Sequence, residues 1–479
     1  MRTFSIYTLG CKVNQYEGQQ IREFLEGLGL SAVEPAAKPD LFVINTCCVT
    51  STASAKSRQY IQRAGKVNPD ATRVVCGCLS AISGLEFTPS GNNNVHIISS
   101  RDNLPAMLTQ IVIGEHPPIR AKNNAKIKND MAGSAKFPKL PRLTSFKGHT
   151  RAFLKVQDGC DGLCSYCIVP KVRPNVQSKP IDEAVAEAKA LVASGHKEIV
   201  VTGVNLGAYG RSTTKKANIS DCGFRIADLL KELANIEGLA RIRVSSLEPG
   251  DITEELLDVF CANKNIMPHI HLSVQSGSEQ ILKRMCRPYG ADQLREKISL
   301  IKGRLDRPAI TSDIIVGFPT ETEEDFQATV ELARWAGFSK IHVFPFSVRA
   351  GTPAAKLKDR IQPKVIKQRA EILRKLSDDL GLKFREQFVG ETCEVLLEDP
   401  GFADSAKHTL GAGTEPMSGR CERYFMVSLT TKTPRHKEKQ NNLVSSGLSG
   451  KGDIVKVRIT AVTEDGAEGK ILIPPTDTK

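Results

Sequence analysis

The 479-residue chain exceeds what one hydrophobic core ordinarily supports, so two to four domains are expected. It is 40% hydrophobic but only 5% aromatic, which argues against a broad aromatic binding surface, and Lys plus Arg outnumber Asp plus Glu by 66 to 53, a formal +13 that favours a polyanionic partner. No N-terminal apolar stretch resembles a signal peptide and no run of about eighteen apolar residues occurs, so a cytoplasmic protein is expected; thirteen cysteines in that reducing compartment point to metal or redox chemistry rather than disulfides.

Taken in chain order, residues 2–9 read as a strand and residues 16–28 as a helix. A second apolar run at 41–45 precedes a helical stretch near 53–64, and a third at 72–76 again ends at a cysteine. This alternation predicts a small parallel α/β sheet. Residues 117–151 then carry nine Lys or Arg against a single acid, with Pro, Gly, Ser and Asn throughout, and read as a basic linker between domains. From 152 to about 382 the alternation resumes. Candidate strands are 153–156, 199–202, 241–245, 270–274, 310–315 and 341–344, with helices such as 181–193 and 323–335 between them. Six βα units predict an incomplete (β/α)6 barrel whose reactive loops follow the strands. After Gly390 short β runs at 394–397, 424–429, 455–459 and 469–473, with a basic loop at 431–449, predict a small β-barrel.

The chemistry concentrates in cysteines. Cys160, Cys164 and Cys167 stand in a CxxxCxxC loop just after the first barrel strand. Thiolates suit iron–sulfur clusters or zinc, but a structural zinc site needs a fourth nearby ligand, and the loop contains no further Cys or His. Three thiolates on a four-iron cluster leave one iron open for a small molecule. Cys11, Cys47 and Cys78 each follow a predicted strand, and the carboxyl ends of parallel strands lie along one edge, where distant cysteines can converge. The alternative for these three is buried structural thiols. Glycines recur after the later strands, in Thr202-Gly-Val-Asn-Leu-Gly207, Ser245-Ser-Leu-Glu248, Ser273-Val-Gln-Ser-Gly277 and Asp313-Ile-Ile-Val-Gly-Phe-Pro319, where they permit close approach of a ligand to backbone.

The triplet loop Val156-Gln-Asp-Gly-Cys-Asp-Gly-Leu-Cys-Ser-Tyr-Cys-Ile-Val-Pro170 resembles the signature of the radical S-adenosylmethionine (SAM) superfamily. That resemblance implies a 4Fe–4S cluster on Cys160, Cys164 and Cys167 that holds SAM and, once reduced, cleaves it to a 5′-deoxyadenosyl radical. It implies SAM contacts from Tyr166, Gly203, Asn205, Ser246, Glu248, Gln275 and Gly317. Three cysteines ahead of such a barrel further resemble the methylthiotransferase family, which implies a second, auxiliary 4Fe–4S cluster on Cys11, Cys47 and Cys78, a second SAM as methyl donor, and a C-terminal TRAM-like RNA-binding β-barrel. The family organisation implies a first domain at 1–116, a linker at 117–150, a radical SAM core at 151–382 and the TRAM-like module at 383–475. The expected partners are a tRNA anticodon stem-loop and a low-potential electron donor such as flavodoxin or ferredoxin, with no membrane.

Thr8-Leu-Gly-Cys-Lys-Val-Asn-Gln-Tyr-Glu17 resembles the branch that converts N6-threonylcarbamoyladenosine beside the anticodon to its 2-methylthio derivative. The rival readings are methylthiolation of isopentenyladenosine tRNA or of a ribosomal-protein aspartate, and a non-catalytic iron–sulfur RNA-binding protein. The chain departs from the family pattern where Cys48 and Cys76 stand beside expected ligands, and where Arg173-Pro-Asn175 replaces Arg-Gly-Arg after the radical loop. Cys222, Cys261, Cys286, Cys393 and Cys421 have no clustered spacing and read as structural.

Overall fold

The computed structural model describes residues 1–82, 94–114, 140–213, 219–398, 417–429 and 452–472. Most of the basic stretch expected as a linker and all of the 431–449 loop lie outside them. The chain forms two compact units, Met1–Leu143 with Lys171–Arg173, and Thr144–Pro170 with Pro174–Lys479.

In the first unit, strands β1 (Thr3–Thr8), β2 (Ser31–Ala32), β3 (Leu41–Thr46), β4 (Thr72–Gly77) and β5 (Val95–Ile97) form one parallel sheet in the order β2-β1-β3-β4-β5. All six residues of β3 are buried, the mark of a strand covered on both faces. Alternate side chains serve two cores: Phe4, Leu41, Val43 and Val74 pack with Ile21 and Leu25 of helix α1 (Lys12–Gly27) on one face. Phe42, Ile44 and Val75 pack with Ile61 and Ala64 of α2 (Ser51–Val67) on the other. Helix α1 begins before the expected Tyr16 because Cys11 is its N-cap. Its first turn, with Lys12, Asn14 and Gln15, lacks the apolar spacing by which helices are read.

The second unit holds six strands at the expected places: β6 (Ala152–Lys155), β7 (Glu198–Thr202), β8 (Arg241–Val244), β9 (His269–Gln275), β10 (Ala309–Val316) and β11 (Lys340–Pro345). They pair in parallel as β6-β7-β8 and β9-β10-β11. A bridge at Leu247 and Leu272 joins the halves, with the Leu247 amide donating to His271 at 2.9 Å. The helices Ile181–Ala193 and Glu323–Ala336 cover them, the latter opened by a Thr322/Asp325 capping box. This is the incomplete α/β barrel that the sequence predicts.

A closed five-stranded barrel follows: β12 (Thr392–Glu398), β13 (Ser418–Cys421), β14 (Met426–Leu429), β15 (Ile454–Val462) and β16 (Ala467–Ile471). Two strands differ from expectation. Tyr424 does not begin β14 but sits in the β13–β14 turn at φ 71°, and β13 was not anticipated, because Ser418-Gly-Arg-Cys421 carries no β-branched or aromatic residue.

The turn explains how this barrel is seated. Glu198, Arg241 and His269 are the first residues of their strands, and all are buried beneath it. Arg241 donates to the carbonyls of Arg420 (3.0 Å) and Glu394 (2.8 Å), and Arg243 to those of Glu422 (2.8 Å) and Cys421 (2.7 Å). Tyr424 stacks on His269, with ring centroids 4.6 Å apart. Burial raises the Glu198 carboxyl, but Arg243, Arg151 and Arg241 outweigh it and hold the group below its ordinary value. Among the described residues no helix is long and apolar enough to cross a membrane.

Candidate functional site

Each of the three N-terminal cysteines lies at the carboxyl end of a strand. Gly10 and Gly77 precede Cys11 and Cys78 with φ of +101° and +92°, a left-handed conformation that favours glycine. At Gly10 a Cβ would lie 2.8 Å from Cys47 Sγ, so the Cys11 turn and Cys47 are packed in contact. Asn14, in the first turn of α1, binds the pieces together. Its Nδ2 donates to the carbonyls of Leu9 (2.8 Å) and Thr46 (2.9 Å), while its Oδ1 lies 3.9 Å from Cys78 Sγ. The Cys78 amide donates to Thr46 at 2.9 Å, and Ser57 both donates to and accepts from the Cys47 backbone at 3.1 Å.

Cationic groups gather on one sulfur. Arg173 Nε lies 3.5 Å and Arg101 Nη2 3.4 Å from Cys78 Sγ. A hydrogen bond from Cys48 first, then Arg173 and Arg101 against burial, hold the Cys78 thiol well below its ordinary value, which favours the thiolate that ligates metal. Arg173 makes a two-pronged pair with Glu17 (2.8 and 2.7 Å) and donates to Asn14 Oδ1 at 3.1 Å, all buried. Cys76 points elsewhere. It lies in the apolar core with Phe4 and Leu104, where burial pushes its thiol up to about 12. Cys11, Cys47 and Cys78 are therefore brought together as a sulfur donor set suited to an iron–sulfur cluster, with Cys48 beside it and Cys76 apart.

In the second unit, Cys160, Cys164 and Cys167 occupy the loop after β6. A Cβ on Gly162 would lie 3.2 Å from Cys160 Sγ and 3.9 Å from Cys164 Sγ, so the missing side chain leaves room for both sulfurs. The Gly162 amide points at Cys160 Sγ (3.3 Å) and the Val169 amide at Cys167 Sγ (3.4 Å). Ser165 pins the loop, its amide donating to Met285 at 2.9 Å and its hydroxyl to Arg284 at 2.7 Å. Burial lifts the Cys167 thiol to about 12, and proton release therefore accompanies metal binding there.

The residues expected to contact SAM fall into distinct groups. Asn205 Nδ2 lies 3.9 Å from Cys160 Sγ, and the Asn205 amide donates to Gln157 Oε1 at 2.8 Å, the same side chain that fills the space beside Gly203. Glu248 accepts from Arg287 Nη2 at 2.8 Å. Ser246 is exposed, and Gln275 ends β9 at φ 67° beside a register shift. Tyr166 packs against Ile281, Met285 and Phe318, and burial raises its hydroxyl. Gly317, at φ +74°, faces Ile366, whose Cγ1 would lie 2.4 Å from a Cβ there, so helix packing accounts for that glycine.

Arg287 carries no motif by which the sequence would single it out. Its Nη1 lies 2.9 Å from Cys164 Sγ, its Nη2 2.8 Å from Glu248, and its Nε 2.8 Å from Tyr289 Oη. It thus ties the cysteine loop to the end of the β8 loop with one rigid guanidinium. Asn14 and Arg101 were also missed. None has a spacing signature, because each acts through a contact across the fold.

Comparison with known proteins agrees with this layout. Residues 154–333 match the Radical SAM superfamily, and residues 3–98 match the Uncharacterized protein family UPF0004. The chain is 36% identical over 437 residues to the threonylcarbamoyladenosine tRNA methylthiotransferase MtaB of Bacillus subtilis (strain 168), covering 88% of this chain and 92% of that protein. It is 33% identical over 411 residues to the tRNA-2-methylthio-N(6)-dimethylallyladenosine synthase of Pelotomaculum thermopropionicum, covering 83% and 87%. Among solved structures, the radical SAM methyltransferase TsrM from Kitasatospora setae aligns with a TM-score of 0.50 at 15% identity over 81% of this chain and 77% of that one, a likeness of fold.

Proposed function

This chain belongs to the radical SAM methylthiotransferase family, and from that premise we propose that it converts N6-threonylcarbamoyladenosine in tRNA to its 2-methylthio derivative. The observation that carries the reading is the identity, over nearly the whole chain, to methylthiotransferases whose names give that nucleoside. Cys160, Cys164 and Cys167 would hold the radical 4Fe–4S cluster, which when bound would supply a site for SAM and relay to it one electron from a low-potential donor. Cys11, Cys47 and Cys78 hold an auxiliary 4Fe–4S cluster. Asn14 and Arg173 orient the auxiliary thiolates, with Arg173 offsetting the negative charge that three sulfurs bring. Arg287 does the corresponding work for Cys164, while Asn205, 3.9 Å from Cys160 Sγ, and Glu248, held by Arg287, would offer polar groups to bound SAM.

The domain reading belongs to the same proposal: a cluster-binding domain at 1–116, a linker at 117–150, the radical core at 151–382, and an RNA-binding module at 383–475. On the module, Lys456, Arg458 and Lys470 are exposed, and Arg458 pairs with Lys470 across β15 and β16, a cationic surface for the phosphates of an anticodon stem-loop. The enzyme works in the cytoplasm with a low-potential donor such as flavodoxin or ferredoxin. To test the substrate, anaerobically reconstituted enzyme is given tRNAs bearing threonylcarbamoyladenosine or isopentenyladenosine, with SAM, reductant and sulfide, and the nucleosides are weighed by mass spectrometry. A mass gain on the threonylcarbamoyl tRNA is expected. A gain on only the isopentenyl tRNA moves the chain to the other branch.

A further inference from the structure

We propose that His271, Asp313 and His342 bind a divalent first-row transition-metal ion, at a site separate from both cysteine triplets. The three residues lie on the adjacent parallel strands β9, β10 and β11. Asp313 and His342 are direct cross-strand partners, and His271 pairs with Thr311, two residues before Asp313. Side chains two apart on a strand share a face, so the sheet register itself sets these three on one side. Their ligating nitrogen and oxygen atoms all lie within 4.8 Å of one another. His271 Nε2 is 3.2 Å from Asp313 Oδ2, and the His271 and His342 rings are 5.6 Å apart between centroids.

The surrounding groups accommodate the tautomer that a metal needs. His271 Nδ1 lies 2.8 Å from Thr311 Oγ1, and His269 Nε2 lies 3.1 Å from the same oxygen. When His271 donates its Nδ1–H to Thr311, the hydroxyl proton passes on to His269, and the His271 Nε2 lone pair is left facing the Asp313 carboxylate. In that tautomer a cation would bind the lone pair and the carboxylate together; without one, the other tautomer lets Nε2–H donate to Asp313 at 3.2 Å. A ligating histidine whose second nitrogen donates to a fixed acceptor is the usual support of metal sites. His269 is fixed in turn by its stacking on Tyr424. Two imidazoles and one carboxylate suit iron, cobalt, nickel or zinc, and three protein ligands leave further positions open. Access comes from β11, the outer strand of its sheet, on which His342 is exposed.

The test uses the full-length chain with its cysteines occupied by anaerobically reconstituted clusters, titrated calorimetrically with Zn2+ alone. One ion per chain is expected, with affinity falling about tenfold or more in His342→Ala and in Asp313→Asn. Because His342 is exposed, its replacement leaves the core intact. A His342→Cys variant supplies a direct marker: Co2+ bound to it gains a sulfur-to-cobalt absorption band that the wild type lacks. Equal Zn2+ binding by wild type and both loss-of-ligand variants overturns the site, as does binding that disappears only when the six cluster cysteines are replaced. No binding by the wild type leaves Thr311, His271 and Asp313 as a hydrogen-bonded chain and overturns it equally.

Discussion

Cys160, Cys164 and Cys167 lie in a single loop, positioned by the Gly162 and Val169 amides, by Ser165 bonded to the backbone of Arg284 and Met285, and by Arg287, brought in from beyond β9. Cys11, Cys47 and Cys78 come from three successive strand ends and are held by Asn14, Ser57, Thr46, Arg101 and Arg173, of which Arg173 is the most distant in sequence. The local triplet draws its geometry largely from chain connectivity, with contacts from residues 205 and 284–287 added to it. The dispersed one exists only when the parallel sheet is in register, and it is accordingly surrounded by buried hydrogen bonds and a buried ion pair. The two also differ in charge. Arg173, Arg101 and Cys48 favour the thiolate at Cys78, whereas burial disfavours it at Cys167 and, within the dispersed set, at Cys11.

Substituting the triplets separately gives the largest contrast. Cys160, Cys164 and Cys167 to Ala is expected to remove about half the iron and all SAM cleavage, because the open iron is lost with them. Cys11, Cys47 and Cys78 to Ala is expected to keep SAM cleavage and abolish methylthiolation. Iron content and 5′-deoxyadenosine yield measure both, and only about four irons in the reconstituted wild type would break the two-cluster reading.

Arg173→Ala sharpens the comparison next. It removes the two-pronged partner of the buried Glu17 carboxylate, leaving Arg101 3.6 Å away, and should destabilise the first unit by up to about 3 kcal/mol in chemical denaturation. Auxiliary iron should fall with it while SAM cleavage persists. Arg287→Lys acts on the other side. A lysine cannot span Cys164, Glu248 and Tyr289 at once, and SAM cleavage should fall roughly 10–100-fold with auxiliary iron unchanged.

A smaller effect separates the two extra cysteines. Cys76→Ala should cost about 1 kcal/mol of stability and leave iron content intact, since its sulfur is packed in the core. Cys48→Ala removes the hydrogen bond that does most to lower the Cys78 thiol, so cluster assembly should weaken first as pH falls toward that thiol's raised value; pH-dependent iron retention reads this out. The smallest expected change is at the C-terminal barrel. Deleting it would strip Arg241 and Arg243 of their carbonyl partners, so surface replacements of Lys456, Arg458 and Lys470 are the cleaner probe. Neutralising any one of these cations should reduce the salt slope of tRNA binding by about one, because one fewer phosphate is then paired.

The residues themselves show how far local pattern reaches. Strand β3, buried throughout, and the helix Ile181–Ala193 are legible from apolar runs and spacing alone. The CxxxCxxC loop is legible because its ligands are neighbours in the chain. The convergence of Cys11, Cys47 and Cys78 is legible only through the rule that parallel strands end along one edge. The β13 strand and the turn at Tyr424 are not, since their conformation is set by Arg243 and His269, which lie about 150 to 180 residues away in sequence on β8 and β9.

The alternation of strands and helices in the first sheet and the incomplete barrel, and the strand-end positions of the cysteines, are thus legible in the sequence alone, because periodicity and spacing are properties of neighbouring residues. Which arginine meets which sulfur, that Cys76 belongs to the core while Cys48 meets Cys78, and that two histidines and an aspartate share one sheet face were decided by tertiary structure. Those depend on register and burial, and an interaction between residues far apart leaves no local pattern to read.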